Sequence, residues 1–425
     1  MRALNAALTA LCLLGLAYAA SHIFLHAALD PNEGWNAYHT AAAIGGAPLY
    51  PQGWFTNNYP PLSFYIVGLL PGDHIFAGRI VALLSLVFVA WTIIDAARRM
   101  GASGETAAFG ALWFMAGMLV FTDYVAMDDP QLLGHAVMMA GLLLLLRGKP
   151  AAAAPTMAMA LFVKHNLVAL PVAAILWLAF TDRRAAIRFA ATGLAAGLAG
   201  LFLFRLVYGV ELWDVLNSPR GYSFATMTSS VAHVAAWTLP AVFIASLSGN
   251  ALVRIYAAVA LLLGAAFSGG AGVDMNVWFD AVVALALGIA LALERLPWRF
   301  AWIGLLLLLL VPGLVSDRWD PPIDASSDIA FLKSRKGPAM CEELSLCYWA
   351  GKPAEVDVFN LGQRYATGAD SDEALVMAID AGRFAAVQMD SLDDLTPRVK
   401  AAFGHAYRLD HEDDAGIFLV RRPRS

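Results

Sequence analysis

Asp30-Pro31-Asn32-Glu33-Gly34-Trp35-Asn36-Ala37-Tyr38 follows directly on the first long apolar run of the chain. If that run spans a membrane, this stretch emerges at the membrane surface. It sets two carboxylates three residues apart beside aromatic rings, in a chain otherwise poor in charge. Local chemistry gives the stretch two uses. Asp30 suits an N-cap, Pro31 the first helical position, and Glu33 completes a capping box. A capped helix start also holds its carboxylates still, which a general base requires. The two uses are compatible.

Composition agrees with the membrane reading. Of 425 residues, 60% are hydrophobic and 14% charged, against about 25% charged in soluble domains. That excludes a soluble enzyme with a large core and points to a polytopic α-helical membrane protein. The net charge of −5 says little, since much of the charge lies after Ser316, and no basic block suggests nucleic acid. The N-terminus imitates a signal peptide, with Arg2, an apolar stretch and then Ala17-Tyr18-Ala19 as a cleavage-like site. The apolar character continues to Ala28, so this run reads as an uncleaved first transmembrane helix.

A spanning helix needs about 20 apolar residues. Segments 4–27, 76–97, 104–122, 130–146, 150–163, 167–181, 187–208, 229–248, 250–268, 275–294 and 300–316 are the candidates. They give about eleven spans by the length criterion. Arg2, Arg98-Arg99, Arg147 with Lys149, Arg183-Arg184 with Arg188, and Arg295 with Arg299 then fall on one side. By the positive-inside rule that side is cytoplasmic, which puts the N-terminus inside and the tail outside. The expected organisation is a transmembrane domain over 1–316 with a long outer loop at 28–75, then a small extracytoplasmic α/β domain over 317–425.

The other outer segments are 123–129, 164–166, 209–228 and 269–274. In the first loop, residues 31–44 read as a short helix stopped by Gly45-Gly46. Pro48-Leu49-Tyr50-Pro51 and Asn58-Tyr59-Pro60-Pro61-Leu62 are rigid turns carrying aromatics, suited to a lid or cradle. The short segments 150–163 and 167–181 meet at Lys164-His165-Asn166, and such a polar break between short helices points to a binding site. In the tail, 327–334, 371–381 and 395–403 read as helices, 384–389 and 417–421 as strands, and 410–416 as a turn. Cys341 and Cys347 could pair in an oxidising compartment. Spacing alone leaves that open.

Every polar cluster of interest falls on the expected outer side. Asp128-Asp129-Pro130 repeats the cap pattern, and Asp129 either caps the next span or works with Asp30. Two such acids could flank one substrate or share a divalent cation with nearby histidines, although no clean metal-ligand spacing is present. His135 reads as a packed histidine inside a span. Lys164 breaks the positive-inside pattern, as a snorkelling lysine or as the cation of a site. Arg79, Arg205 and Arg220 lie on or near the same side, and such a cluster suits a phosphate. Asn276 and Asp280, one turn apart, line a site or bond between helices.

In this order the motifs resemble the polytopic lipid-linked-sugar glycosyltransferases of the GT-C class, in the aminoarabinose-transferase and protein-mannosyltransferase-like branch. The resemblance rests on the acid motif after the first span, then Gly46-Ala47-Pro48-Leu49-Tyr50, Tyr59-Pro60-Pro61-Leu62 and Arg79. It continues through Asp129-Pro130-Gln131-Leu132, Lys164-His165-Asn166 and the polar 272–276 segment. It implies an inverting transferase in a bacterial inner membrane, moving a sugar from a polyprenyl-phosphate carrier to a lipid, glycan or protein acceptor on the outer face. Asp30 would deprotonate the acceptor, with Glu33 as the other candidate base. Lys164, with Arg79 or Arg220, would steady the leaving phosphate. Trp35, Tyr38 and Tyr59 would stack on the sugar or line the acceptor groove. Asp128, Asp129, His165, Asn166 and Asn276 complete the expected substrate-binding set. Metal dependence varies in the class, so a divalent cation stays an option.

The main rival is a transporter or flippase for a lipid-linked or small polar substrate. That would call for symmetry between halves and acids at mid-membrane, and neither is evident. A non-enzymatic assembly factor would leave the outer-loop acids dispensable.

Overall fold

The computed structural model describes residues 1–316, 319, 322–392 and 395–423. The chain begins with α1 (Arg2–Ser21), α2 (Pro31–Gly45), α3 (Leu62–Gly68), α4 (His74–Arg99), α5 (Gly104–Leu119) and α6 (Thr122–Val125). It continues with α7 (Pro130–Leu146), α8 (Pro150–Val163), α9 (Ala169–Thr181), α10 (Arg183–Tyr208), α11 (Leu212–Leu216), α12 (Phe224–Ser246) and α13 (Ala251–Phe267). A 3₁₀ turn (Met275–Trp278) leads into α14 (Phe279–Ala292), followed by α15 (Arg299–Leu308) and α16 (Val311–Leu314).

Each of the expected apolar segments contains a helix, but their lengths differ. Among the described residues, five helices are long and apolar enough to cross a membrane: α1, α4, α10, α12 and the run Met275–Arg295 that contains α14. The 14 residues of α8 and the 13 of α9 reach only about 20 Å at 1.5 Å per residue, short of a hydrocarbon core of about 30 Å. Among the described residues, length by itself therefore secures five of the eleven expected crossings. Two helices mark the extremes of environment. All of α14 is buried, as expected of a helix that is apolar all round. By contrast α10 exposes Phe202 at 71% and Leu206 at 70%, an apolar face that suits lipid rather than water.

Residues after α16 form a compact mixed unit: α17 (Ser326–Ser334), β1 (Ala339–Cys341), α18 (Leu344–Trp349), α19 (Val358–Ala366) and α20 (Glu373–Asp380), then β2 (Ala386–Met389), α21 (Pro397–Ala406), β3 (Tyr407–Asp413) and β4 (Gly416–Arg421). The sheet order is β1-β2-β4-β3, with β1 parallel to β2 and the remaining pairs antiparallel. Three helices and two strands lie where sequence pattern predicts them. The segment expected as a turn at 410–416 is different: it is mostly strand, because Leu409 to Asp413 pair with β4 around a bulge. Its polar composition hid it, and cross-strand pairing overrides local preference. The expected boundary at Asp317 lies outside the described residues.

This unit is tied to the first loop rather than tethered beside it. Trp349 Nε1 donates to Asp73 Oδ2 at 3.0 Å, Arg364 donates to the Gly53 carbonyl at 2.8 Å, and the Asp357 N–H donates to the Trp54 carbonyl at 2.9 Å.

Candidate active site

The site is built on α2. Asp30 caps it from an extended backbone, Pro31 occupies the first turn, and Gly46 at φ 77° ends it in the left-handed region that glycine adopts freely. Asp30 Oδ1 accepts from the Asn32 N–H at 2.8 Å and from its side-chain amide at 2.6 Å. Both hydrogen bonds fall on this one oxygen. The carboxyl is half-buried. Burial pushes it up to about 6, with Asp129 and Glu33 adding to the rise and Asn32 opposing it.

Glu33 does not complete a capping box. Its carboxylate turns into the core and grips Arg79 in a two-point pair, Nε to Oε1 at 2.7 Å and a terminal nitrogen to Oε2 at 2.5 Å. Both side chains are fully buried. Arg79 spends its other donors on the carbonyls of His22, Ile23, Leu25 and Ala27, and Glu33 also accepts from the N–H groups of Leu29 and Asp128. This corrects two expectations. With every donor and lone pair engaged, neither residue has a group left for substrate. Together they join the chain leaving α1 to the starts of α2 and α4.

Asp30 faces a cavity of about 470 Å³. Of the expected residues, Trp35, Tyr59, Arg220 and Asn276 share its lining. Arg220 stands 5.3 Å over the Phe359 ring and donates to the Ala271 carbonyl and to Asn360 Oδ1, each at 3.0 Å. Trp35 is held by its indole N–H, which donates to Asp357 Oδ2 at 3.0 Å.

A second group lies one side chain behind. Lys164 is 3% exposed, 3.3 Å from Asp129 Oδ2 and 3.8 Å from the centre of the Tyr59 ring, so Tyr59 stands between it and the cavity. Asp129 caps α7 through Oδ1, as its Asp-Pro motif predicts. His165 packs against Tyr59, and Asn166 donates to Gln131 at 3.3 Å. Asp128, expected to bind substrate, is buried against α4 instead. Gly78 makes room for it, since a Cβ there would fall on its carboxylate. Tyr38 also departs from expectation: it lies in a separate surface cleft, with its hydroxyl donating to the Lys352 carbonyl at 2.8 Å. Asp280 is not beside Asn276 in the cavity. It accepts from Tyr256 at 2.5 Å and lies 3.7 Å from His135 Nε2, an interhelical polar contact.

Sequence reasoning missed the tail's share of the site. Glu342, Leu344, Asp357, Phe359, Asn360 and Asp390 line the same cavity, as do Tyr124 and Asp274. Isolated acids in a polar tail look like solvated surface, so no local signal marks them. The group with metal-ligand character among the described residues is also in the tail. Ligand atoms of Asp328, His411 and Asp413 lie within 4.8 Å of one another, a donor set suited to a divalent cation. It is not the Asp30 and Asp129 pairing considered from sequence.

No protein-family model matches the chain, and no curated protein sequence does. Solved structures do. The crystal structure of ArnT from Cupriavidus metallidurans bound to undecaprenyl phosphate matches at a TM-score of 0.65 and 14% identity, covering 99% of each chain. The apo structure of the same protein matches at 0.66 and 15% identity, again over 99% of each chain. ArnT is an aminoarabinose transferase of the GT-C class, the branch to which the motif order pointed. At this identity the likeness is one of fold, and it runs the length of the chain: the helical region and the tail together adopt the ArnT fold.

Proposed function

We propose that the protein is an inverting glycosyltransferase that takes its sugar from a polyprenyl-phosphate carrier. The observation that carries this reading is the cavity that brings Asp30 and Arg220 together, in a fold shared with a protein crystallised with undecaprenyl phosphate. Asp30 takes the proton from an acceptor hydroxyl as its oxygen attacks the anomeric carbon. The new carbon–oxygen bond forms as the sugar–phosphate bond breaks, and the leaving polyprenyl phosphate keeps the electron pair. Arg220 meets the charge that grows on that phosphate. Lys164 acts from behind Tyr59, fixing the ring that forms one wall. A carboxyl whose pKa sits near 6 is ionised at neutral pH and still basic enough to take a proton in the transition state.

Trp35 and Tyr59 supply aromatic faces for the sugar, and Asn276 a polar edge. The reading places this chemistry at the extracytoplasmic surface of a bacterial inner membrane, on the side away from the cationic loops, with 317–425 on that side as well. The acceptor is a lipid, glycan or protein hydroxyl.

Mass spectrometry of lipid co-purifying with the protein identifies the carrier. With that lipid as donor, purified protein should release free polyprenyl phosphate in step with glycosylated acceptor, and Asp30→Asn should abolish release. Movement of intact lipid-linked sugar across vesicles without release of polyprenyl phosphate would instead make the protein a flippase.

A further inference from the structure

Cys341, at the end of β1, and Cys347, in α18, are joined by a disulfide. The short loop between them occupies a particular place. Glu342 and Leu344 line the cavity that holds Asp30 and Arg220. Glu343 and Leu346 line a second cavity, of about 450 Å³, which also contains Asp30. The loop is therefore part of the wall dividing two cavities, and Asp30 is common to both.

The same loop lies flush on α2. At Gly34 a Cβ would fall directly on the backbone of Leu344 and Ser345, so the absent side chain lets the two segments touch. Leu344 completes an apolar cluster with Trp35, Leu49, Phe55 and Phe64. Electrostatics work against this contact. The loop brings Glu343 toward the acids of α2, and its carboxyl is pushed up to about 8 by burial, with Glu33 and Asp30 adding to the rise. Burying an acid of this loop against α2 costs free energy, and the loop is closed by two buried cysteines, at 1% and 2% exposure.

We infer that the Cys341–Cys347 disulfide is a positioning element of the transfer site: it holds residues 342–346 against α2, keeps Asp30 half-buried and maintains the wall between the two cavities. The inference rests on the reading of Asp30 as the base. A disulfide that merely stabilised the tail would affect melting and leave the chemistry of Asp30 alone.

The test uses the full-length protein in lipid nanodiscs. The double variant Cys341→Ser/Cys347→Ser should lose about tenfold or more in turnover, a share of what a positioned base contributes, while KM for the lipid donor changes by less than about twofold. The acid limb of its pH–rate profile should move down from near 6 toward the ordinary aspartate value of 3.8, because Asp30 becomes more exposed to water. Should the double variant misfold, the wild-type protein decides. A dithiol reductant passes two electrons and two protons to the bridge, giving two thiols and becoming a cyclic disulfide itself. Turnover and pH midpoint should shift on reduction and return on reoxidation. Unchanged turnover and midpoint in either experiment overturns the inference. If the wild-type protein transfers no sugar, the proposed function fails separately, and hydrogen exchange over residues 29–38 then decides the positioning role: faster exchange on reduction supports it, and unchanged exchange refutes it.

Discussion

Asp30 and Asp129 begin from the same local instruction and end in different chemistry. Each is followed by proline, each caps a helix from an extended backbone, and each uses one carboxylate oxygen to accept an N–H two residues on. The difference is what meets the other oxygen. Asp129 Oδ2 is taken by Lys164 in a buried pair, whereas Asp30 lies half-buried in the wall of the cavity. A cap locates a carboxylate. Whether that carboxylate reacts depends on whether a cation reaches it first.

The comparison can be broken by exchange to the amide. Asn caps a helix about as well as Asp, so Asp30→Asn should keep α2 and the fold while lowering transfer by about a thousandfold, in the range measured for general bases. Turnover with a labelled lipid donor, beside an unchanged melting curve, is the check. In Asp129→Asn the order of effects should reverse. Lys164 is left buried without its counter-charge, which costs about 3–5 kcal/mol, and thermal unfolding in detergent should register the loss before kinetics do. A melting point close to wild type would refute the buried-pair account.

The second buried pair gives the same contrast for the cations. Arg79→Ala strands Glu33 and several carbonyls, so loss of folded protein is expected, again on the order of 3–5 kcal/mol. Arg220→Ala should leave folded protein with roughly tenfold weaker binding of polyprenyl phosphate, as for loss of one charge-assisted hydrogen bond. If Arg220→Ala bound the lipid normally in titration calorimetry, the phosphate assignment would be lost.

Smaller effects follow from titration. Asp30 must be ionised to act, so the rate should rise through about pH 6 and level off above it. The side-chain amide of Asn32 lowers that value, and Asn32→Ala should move the midpoint upward. Glu343 bears on stability with the opposite sign. Its folded value, about 8, lies above the ordinary glutamate value of 4.5, so the folded state holds the extra proton and stability falls as pH rises between those values. Glu343→Gln should flatten that slope in a series of melting curves.

Much of the helical organisation is legible in sequence, because a cap, a proline at the first turn and an apolar run act over a few residues. The start of α2 and that of α7 are read this way to the residue. The tail was half legible: β2 and β4 carry apolar runs, whereas β1 has three residues and β3 is polar, and only pairing across the sheet makes them strands. Of the residues lining the cavity, Asp30, Trp35, Tyr59, Arg220 and Asn276 are legible from sequence, through their place on one side of the charge pattern. Arg79 and Asp128 share that side and were misassigned, since side says nothing of depth.

By itself the sequence determined that this is a membrane protein, the order of its helices, and that acids stand at the starts of α2 and α7. Those properties come from composition and from contacts along a few residues of chain. Only the tertiary structure decided which charges are spent. Glu33 meets Arg79 across 46 residues and Trp35 meets Asp357 across 322. Burial and pairing of charge are set by such distant neighbours, and no local pattern encodes them.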